Sequence, residues 1–323
     1  MRIFTNAHYD FIRWRWHAIG LSLLIILAGV GLIAQRGLPL GIDFSGGTIV
    51  ILKFQKPTSE ATVRGALDTV PGEEVVQAYG DPAQNQVMVR LPLMEGVEQG
   101  ASLEQGAKRV VDAVKAANVG QFEVVQQELV GPVVGADLQR KGIYATLASI
   151  LGITIYIALR FRFSFAVGAM AATLHDILVT LAFLVFFKYE LSLNVIAALL
   201  AITGYSVNDT IVIFDRVREN SHLLRRESLT KIVNDSVNQT LSRTIITAGT
   251  TFLAVLSLYL FGGEVLEGFA FTMLVGIVSG TYSTIFIAAA VAIILSKATP
   301  VRTAPAAAPT PEGGKARRKA KAS

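Results

Sequence analysis

Residues 194–215 read NVIAALLAITGYSVNDTIVIFD, an apolar run with an acid in its interior. A helix needs about 20 mostly apolar residues to cross a bilayer, so this run predicts a membrane span. Asp209 lies inside it. A carboxylate at the centre of such a helix costs roughly 2.5–3.5 kcal/mol on insertion scales, and it therefore usually faces a bundle interior or a water-filled path. Asp209 is the first candidate functional residue.

Hydroxyl side chains accompany this acid. Thr203, Ser206 and Thr210 follow one another at three- to four-residue spacing, and on a helix of 3.6 residues per turn this spacing places them on the side of Asp209. We group Asn208 with them as part of the same supporting polar face. The pattern predicts a polar stripe on an otherwise apolar helix.

The composition excludes several classes of protein. The 323 residues are 52% hydrophobic and only 16% charged, against about 25% in soluble domains, which predicts a polytopic membrane protein. There is no Cys, and the four His show no zinc spacing, so we predict neither a thiol nucleophile nor a metal site. The sequence pI of about 9.4 does not predict nucleic-acid binding, because the basic residues lie beside the apolar runs.

Six apolar runs predict six transmembrane helices. The first follows three Arg and two Trp, as expected at a cytoplasmic interface, and no A-x-A-like cleavage site follows it, so we interpret it as a retained span. Each run is about long enough to span the hydrocarbon core. The predicted spans are Ala18–Ala34, Ile143–Leu159, Phe165–Phe187, Asn194–Phe214, Ile245–Phe261 and Phe269–Leu295.

Basic residues in the short loops predict the orientation. Arg160 and Arg162 lie between the second and third spans, and six Lys or Arg lie in the loop 216–243 that is predicted to be cytoplasmic. The opposite short loops are poor in basic residues, so both termini are predicted to be cytoplasmic and residues 37–142 periplasmic. Six spans, an even number, also place both termini on the same side of the membrane. The protein is then expected in the bacterial inner membrane.

Residues 37–142 have the hydropathy of a soluble domain. Their pattern runs strand, helix, strand, strand, helix, strand, which is the order of the α+β ferredoxin-like fold. The predicted strands are Thr48–Phe54, Glu74–Tyr79, Gln86–Leu91 and Gln121–Leu129, and the predicted helices are Ser59–Val70 and Ser102–Ala117.

The chain therefore divides into four parts. Residues 1–36 hold the cytoplasmic N-terminus and the first span, 37–142 the ferredoxin-like domain, and 143–296 the other five spans. Residues 297–323 are rich in Pro and Ala and then basic, which predicts a disordered cytoplasmic tail. Its charges could contact anionic lipid or ribosomal RNA, but such tails more often serve only topology and solubility.

A second acid, Asp176, lies within the third predicted span. It could be a partner in a proton relay or form a structural hydrogen bond between helices, and the two interpretations are equally supported. His175 is one helical step away, so we do not expect a His–Asp dyad. Because the sequence offers Asp176 no partner comparable to that of Asp209, we expect its substitution to have the milder effect.

Glycine-containing segments flank the predicted domain. Asp43, Gly46 and Gly47 follow the first span, and Gly131 and Gly135 precede the second. We interpret both segments as structural joints in preference to a substrate-contacting role for Asp43. We further predict that the domain moves as a rigid body on these joints.

Arg243 lies just before the fifth predicted span. Taken alone, it is best interpreted as an interfacial arginine whose side chain extends to the membrane surface. The functional alternative is that its charge acts on Asp209 of the preceding span. Gly276 and Gly280 in the sixth span have the spacing of a close helix contact, which more often reflects packing than mechanism.

Five motifs together resemble one family. They are GIDFSGGT (41–48), GPVVGADL (131–138), GYSVNDTIVIFDRVREN (204–220), NQTLSRTIITAGTT (238–251) and YLFGGEVLEGF (259–269). They are similar to the SecF family of the bacterial SecD–SecF protein-export complex, in the resistance-nodulation-division (RND) superfamily. The resemblance implies an RND-type half bundle of six helices with one periplasmic domain, no enzymatic activity and no cofactor. It also implies use of the proton-motive force in late, ATP-independent protein translocation.

The resemblance places proton passage at Asp209 and Arg243, and we add Asp176 as a weaker candidate. It implies SecD as a partner in a heteromer, with the SecYEG translocon, YajC, exported preproteins and membrane lipids as further contacts. We predict that helix faces rich in Gly and Ser, including part of the sixth span, contact SecD. Whether H⁺ or Na⁺ is coupled does not follow from the sequence.

Two other functions are less well supported. An RND small-molecule exporter is expected to have two such halves and two large loops in one chain, and this chain has one. An intramembrane aspartyl protease would need a G-x-G-D motif, whereas Asp209 follows Tyr205-Ser206-Val207-Asn208.

Overall fold

Six helical segments long and apolar enough to cross a membrane form most of the described structure. The computed structural model describes residues 8–68, 70, 75–80, 82–91, 99–224 and 226–298. The membrane helices are α1 (Arg15–Arg36), α5 (Pro132–Arg160), α6 (Phe163–Phe186), α7 (Leu193–Leu223), α8 (Leu229–Phe261) and a last span of α9 (Glu264–Ser283) and α10 (Ala289–Ala298). The prediction of six spans is confirmed. The predicted disordered tail, 297–323, lies almost wholly outside the described residues.

Three spans form the centre of the bundle and three lie at its periphery. In the most apolar 18-residue stretch of each span, the buried share is 56% for α6, 67% for the last span and 50% for α7. For α1, α5 and α8 the share is 17% or less. Asp176 on α6 and Asp209 on α7 are therefore carried by central helices.

The prediction of residues 216–243 as a loop is wrong. Helix α7 continues to Leu223, and α8 already begins at Leu229. The Ser228 side chain accepts a hydrogen bond from the backbone N–H of Lys231 and so satisfies a free donor of the first turn of α8. The polar residues before and after the short connection extend the two helices beyond their apolar runs. A helix can continue through polar residues when a cap and tertiary contacts stabilise it.

The last span contains one wide turn. Residues Thr284–Ala288 between α9 and α10 form a π-helical turn, which is rare and often lies at functional sites. The Thr284 hydroxyl donates to the backbone carbonyl of Gly280 and lies 2.9 Å from the Thr210 hydroxyl on α7. The turn thus lies against the helix that carries Asp209.

A four-stranded sheet lies between α1 and α5 in the chain. Its strands are β1 (Gly47–Phe54), β2 (Val75–Tyr79), β3 (Gln86–Leu91) and β4 (Phe122–Val130), in the order β2-β3-β1-β4 with all neighbours antiparallel. Helices α3 (Glu60–Leu67) and α4 (Gln99–Ala116) supply buried side chains to the same core as alternate residues of β1. This arrangement confirms the ferredoxin-like prediction.

Candidate functional site

Asp209 is buried in the interior of α7. Asp209 is only 4% exposed. Thr203, Ser206 and Thr210 are buried beside it on the same face of the helix. The polar stripe predicted for these three hydroxyls is present. Asn208, which we grouped with them, lies instead on the exposed face of α7. The reason is geometric: at about 100° per residue, Asn208 lies two residues from both Ser206 and Thr210 and so points to the opposite side of the helix.

The hydroxyls of the stripe do not bond to Asp209. Thr203 donates to the backbone carbonyl of Leu199, and Thr210 donates to that of Ser206. The Oδ2 atom of Asp209 consequently has no hydrogen-bond partner among the residues that the structure describes. A buried carboxylate oxygen without a donor is costly when it is charged, and such atoms mark functional sites. Binding a proton would remove that charge.

Arg243 is brought near Asp209 but not into contact with it. The described residues include no hydrogen bond or ion pair between the two side chains, although the guanidinium interacts with the carboxylate through space. Arg243 is exposed on α8, while the next residue, Thr244, is buried with an unpartnered hydroxyl. The geometry leaves both interpretations of Arg243 open, since its side chain is exposed and acts on the carboxylate without contacting it.

Asp176 is the centre of a buried hydrogen-bond network. Its residue is 1% exposed, and it accepts hydrogen bonds from Ser206 at 2.6 Å, Ser279 at 2.7 Å and Ser283 at 2.8 Å. The His175 Nδ1 atom lies 3.0 Å from Asp176 Oδ1. The structural hydrogen bond between helices, one of the two interpretations of Asp176, is present. The expectation that His175 and Asp176 do not form a dyad is wrong.

The sequence signals for this network were present but were assigned to packing. Ser279 and Ser283 are four residues apart on α9 and so share one face, which the bundle turns towards α6. Adjacent side chains on a helix normally diverge, yet His175 and Asp176 meet because partners on other helices hold both. Within the described ranges, no three His, Asp or Glu side chains group closely enough to hold a metal ion.

The glycines of the last span contact α7 of the same chain. A Cβ atom built on Gly276 would lie 2.1 Å from Ile202, and one on Gly280 would lie 2.9 Å from Ser206. Side chains larger than hydrogen would separate the two helices at these points. This part of the sixth span therefore packs within the chain. That another part of the span contacts SecD stays a prediction.

The two predicted joints lie against each other and against the bundle. Asp43, in the short helix α2 (Ile42–Ser45), accepts a hydrogen bond from the backbone N–H of Leu193, the first residue of α7. Gly46 and Gly47 have φ values of +71° and +140°, which favour glycine. Gly131 is the N-cap of α5, and a Cβ on Gly135 would meet the Phe44 carbonyl oxygen at 2.9 Å. The joint thus connects the sheet domain directly to the Asp209 helix.

Sequence reasoning did not find a second set of contacts near this joint. Arg90 on β3 forms a bidentate ion pair with Glu190 in the loop between α6 and α7. The neighbouring Tyr189 donates to Glu267 at 2.6 Å. Burial, together with the hydrogen bond to Glu267, raises the pKa of Tyr189 above its usual value, so its hydroxyl stays protonated. Isolated polar residues such as these carry no periodic pattern that would have identified the pairs.

Family models match two regions of the chain. Residues 110–298 match the model described as protein export membrane protein SecD/SecF, C-terminal, and residues 31–58 match the SecD/SecF GG motif. The first match includes helices α5 to α10, which carry Asp176 and Asp209. The second covers Asp43 and the two glycines of the first joint.

Curated proteins and solved structures are similar over most of the chain. Protein translocase subunit SecF of Escherichia coli O157:H7 is 41% identical over 288 residues, covering 89% of this chain and 88% of that protein. The same-named protein of Rhodothermus marinus is 42% identical over 303 residues, covering 91% and 96%. The crystal structure of SecDF, a translocon-associated membrane protein from Thermus thermophilus, superposes with a TM-score of 0.79 at 32% identity. That match covers 92% of this chain but only 40% of the SecDF chain.

Proposed function

The chain belongs to the SecD/SecF family of protein export membrane proteins, and we propose that it couples the proton gradient to late, ATP-independent steps of protein translocation. It acts there as a non-enzymatic subunit without a cofactor. The observation that carries this proposal is the buried Asp209 carboxylate, whose Oδ2 atom accepts no hydrogen bond from the described part of the chain. One proton that crosses 100 mV releases about 2.3 kcal/mol, enough to drive modest conformational steps.

In the proposed mechanism Asp209 binds a proton from one side of the membrane and releases it to the other. A positive charge near a carboxylate stabilises its ionised form, and in this mechanism that charge is the guanidinium of Arg243. A movement of α8 relative to α7 would change their separation and so the proton affinity. Asp176 is linked to the same helix through Ser206 and takes part as a second acid.

The proposed orientation places both termini in the cytoplasm and the sheet domain in the periplasm of a bacterial cell. The short-loop basic residues support it. A reporter active only outside the cytoplasm should work when fused near Gly100 and fail when fused near Arg225. Activity at Arg225 would contradict the orientation.

The proposed partner is SecD. A Cβ atom built on Gly204 of α7 or on Gly249 of α8 would have no neighbour within 4 Å, and Asn208 is exposed beside Gly204. A helix of SecD would pack on this exposed side of α7, where small residues allow a close approach. The SecYEG translocon, YajC, preproteins and membrane lipids are further proposed contacts, and nucleic acid is not. Co-purification at a one-to-one ratio with a SecD-like protein tests the assembly.

The central experiment compares proton flux and preprotein export in membrane vesicles. Asp209→Asn keeps the shape of the side chain but cannot titrate, so we expect normal assembly and loss of proton-dependent export. Arg243→Lys keeps the charge but loses the planar guanidinium, and we expect a partial defect. Asp215→Asn, at the exposed end of α7, is the matched control and should leave export unchanged. Wild-type flux and export in Asp209→Asn would contradict the mechanism.

A further inference from the structure

A pocket lies at the end of the bundle where the chain turns from α5 into α6. Its volume is about 560 Å³. Arg160 and Arg162 line it from this turn, and Arg218 lines it from the end of α7. Three guanidinium groups from two separate segments therefore border one space. Each of them carries a positive charge at every physiological pH.

One carboxylate offsets part of this positive charge. Asp215 Oδ1 lies 2.9 Å from Arg160 and 3.7 Å from Arg218, so the two arginines share a single acid. The Arg162 side chain forms no ion pair or hydrogen bond with the residues that the structure describes, and it is exposed. Three guanidinium groups and one carboxylate leave a net charge of +2 around the pocket.

The other side of the pocket is mostly apolar. The rings of Phe161 and Phe165 both pack edge-on against Phe214, with centroids 6.1 Å and 4.9 Å away, and Leu229 extends this wall from α8. The guanidinium carbon of Arg160 lies 5.2 Å from the centroid of the Phe161 ring, which joins the basic and the apolar parts. The pocket thus offers positive charge and hydrocarbon contact to the same ligand.

The rim of the pocket continues onto a surface that faces lipid. Arg160 and Arg162 lie at the ends of two helices long and apolar enough to cross a membrane. Leu159 and Phe163, next to them on either side of the turn, are 84% and 79% exposed. Large apolar side chains exposed together in this way mark a surface that contacts the membrane. A lipid molecule can therefore reach the pocket from the bilayer.

A neighbouring arginine shows that charge alone does not place a residue at this pocket. Arg216 lies on the same helix as Arg218, but its guanidinium donates to Glu219 and to Gln239 of α8. It does not line the pocket. The arginines that do line it are thus distinguished by where the bundle directs them.

We propose that this pocket binds the headgroup phosphate of an anionic phospholipid, with Arg160, Arg162 and Arg218 around the phosphate and the acyl chains along the apolar wall. The planar guanidinium fork matches the geometry of phosphate oxygens. Basic pockets between membrane helices are known to hold such headgroups. A zwitterionic lipid brings its own cation, which the net positive charge of the pocket disfavours. The bound phosphate bridges the α5–α6 turn to the end of α7.

Native mass spectrometry of the full chain in detergent tests the site by resolving the binding of single lipid molecules. Dioleoyl-phosphatidylglycerol is anionic, and dioleoyl-phosphatidylcholine has the same acyl chains but is zwitterionic. We expect the first phosphatidylglycerol to bind at least about fivefold more tightly, since each arginine near anionic lipid contributes about this factor. Equal affinities for the two lipids overturn the proposal. Displacement of phosphatidylglycerol by an equal concentration of inorganic phosphate also overturns it, because the pocket would then take free phosphate.

Substitution of single arginines locates the binding. Arg162→Gln and Arg218→Gln should each weaken phosphatidylglycerol binding about fivefold and leave phosphatidylcholine binding unchanged. Both side chains are exposed, so the variants should fold. Arg13→Gln is the matched control, because Arg13 is also exposed and follows Ile12, which packs at the same end of the bundle, but it does not line the pocket.

Two results with these variants overturn the proposal. One is unchanged phosphatidylglycerol binding in both pocket variants, and the other is an equal loss in Arg13→Gln. Lipid binding is measured without a proton gradient or a preprotein. The site can therefore fail or hold independently of the proposed function.

Discussion

Ser206 on α7 donates a hydrogen bond to Asp176 on α6 across 2.6 Å, and Ser206 precedes Asp209 by three residues. The two buried acids of the bundle are thus linked through one serine. A substitution at Asp176 alters a hydrogen bond held by the helix that carries Asp209. We therefore expect substitutions at the two acids to be non-additive in their effects on export.

Asp176→Asn should destabilise the folded protein. The amide NH₂ group would face serine hydroxyls that now donate to a carboxylate oxygen, leaving buried polar groups unsatisfied at a cost of about 1–3 kcal/mol each. The effect on export, expected to be milder than that of Asp209→Asn, stays a separate prediction. Thermal unfolding in detergent measures it. Asp137→Asn is the control, since that acid is exposed and pairs only with Lys141 on its own helix, and an equal loss in both variants would contradict the prediction.

Gly276→Ala should weaken the contact between α7 and α9. The new methyl group would lie about 2.1 Å from Ile202, and overpacking of this kind typically costs about 1–3 kcal/mol. Gly204→Ala is the matched control on the partner helix, because a Cβ there meets nothing within 4 Å. Denaturant unfolding of the two variants should show a loss for Gly276→Ala alone. Equal stability would mean that the helices can separate at no cost.

A disulfide between positions 41 and 192 should restrict the joint. A Cβ built on Gly41 lies 3.5 Å from the Ser192 Cβ, within the range of disulfides, and the chain has no other Cys. If the sheet domain swings on this joint, oxidation of Gly41→Cys/Ser192→Cys should lower export and reduction should restore it. The two single variants are the controls. Undiminished export with the cross-link fully formed excludes this motion as a requirement.

Tyr189→Phe should lower the free energy of unfolding by about 1–2 kcal/mol, because it removes a hydrogen bond to a charged Glu267. The pKa of Tyr189 is raised in the folded protein above its ordinary value of 10.0. Its stabilising contribution is therefore fully present below about pH 10 and is lost only as the pH rises further. The difference between wild type and variant should be constant from pH 7 to 9. Tyr144→Phe, at an exposed position of α5, should show no difference at any of these pH values.

Hydropathy and periodicity predicted the parts of the structure that depend on local pattern. Six apolar runs became six spans, and alternation with turn residues predicted the order of the sheet domain. The burial of Thr203, Ser206 and Thr210 with Asp209 followed from helical spacing alone. Helix ends were less predictable, because the polar extensions of α7 and α8 are stabilised by capping and by packing.

The sequence by itself determined which side of each helix is polar, since side-chain direction repeats every 3.6 residues. Only the tertiary structure decided which polar groups meet. The partners of Asp176 come from α6, α7 and α9, and they converge because Gly276 and Gly280 let α7 and α9 approach closely. The bond from Leu193 to Asp43 likewise joins residues 150 positions apart. Rotation and depth of helices within a bundle are set by packing among distant segments, and no local pattern encodes them.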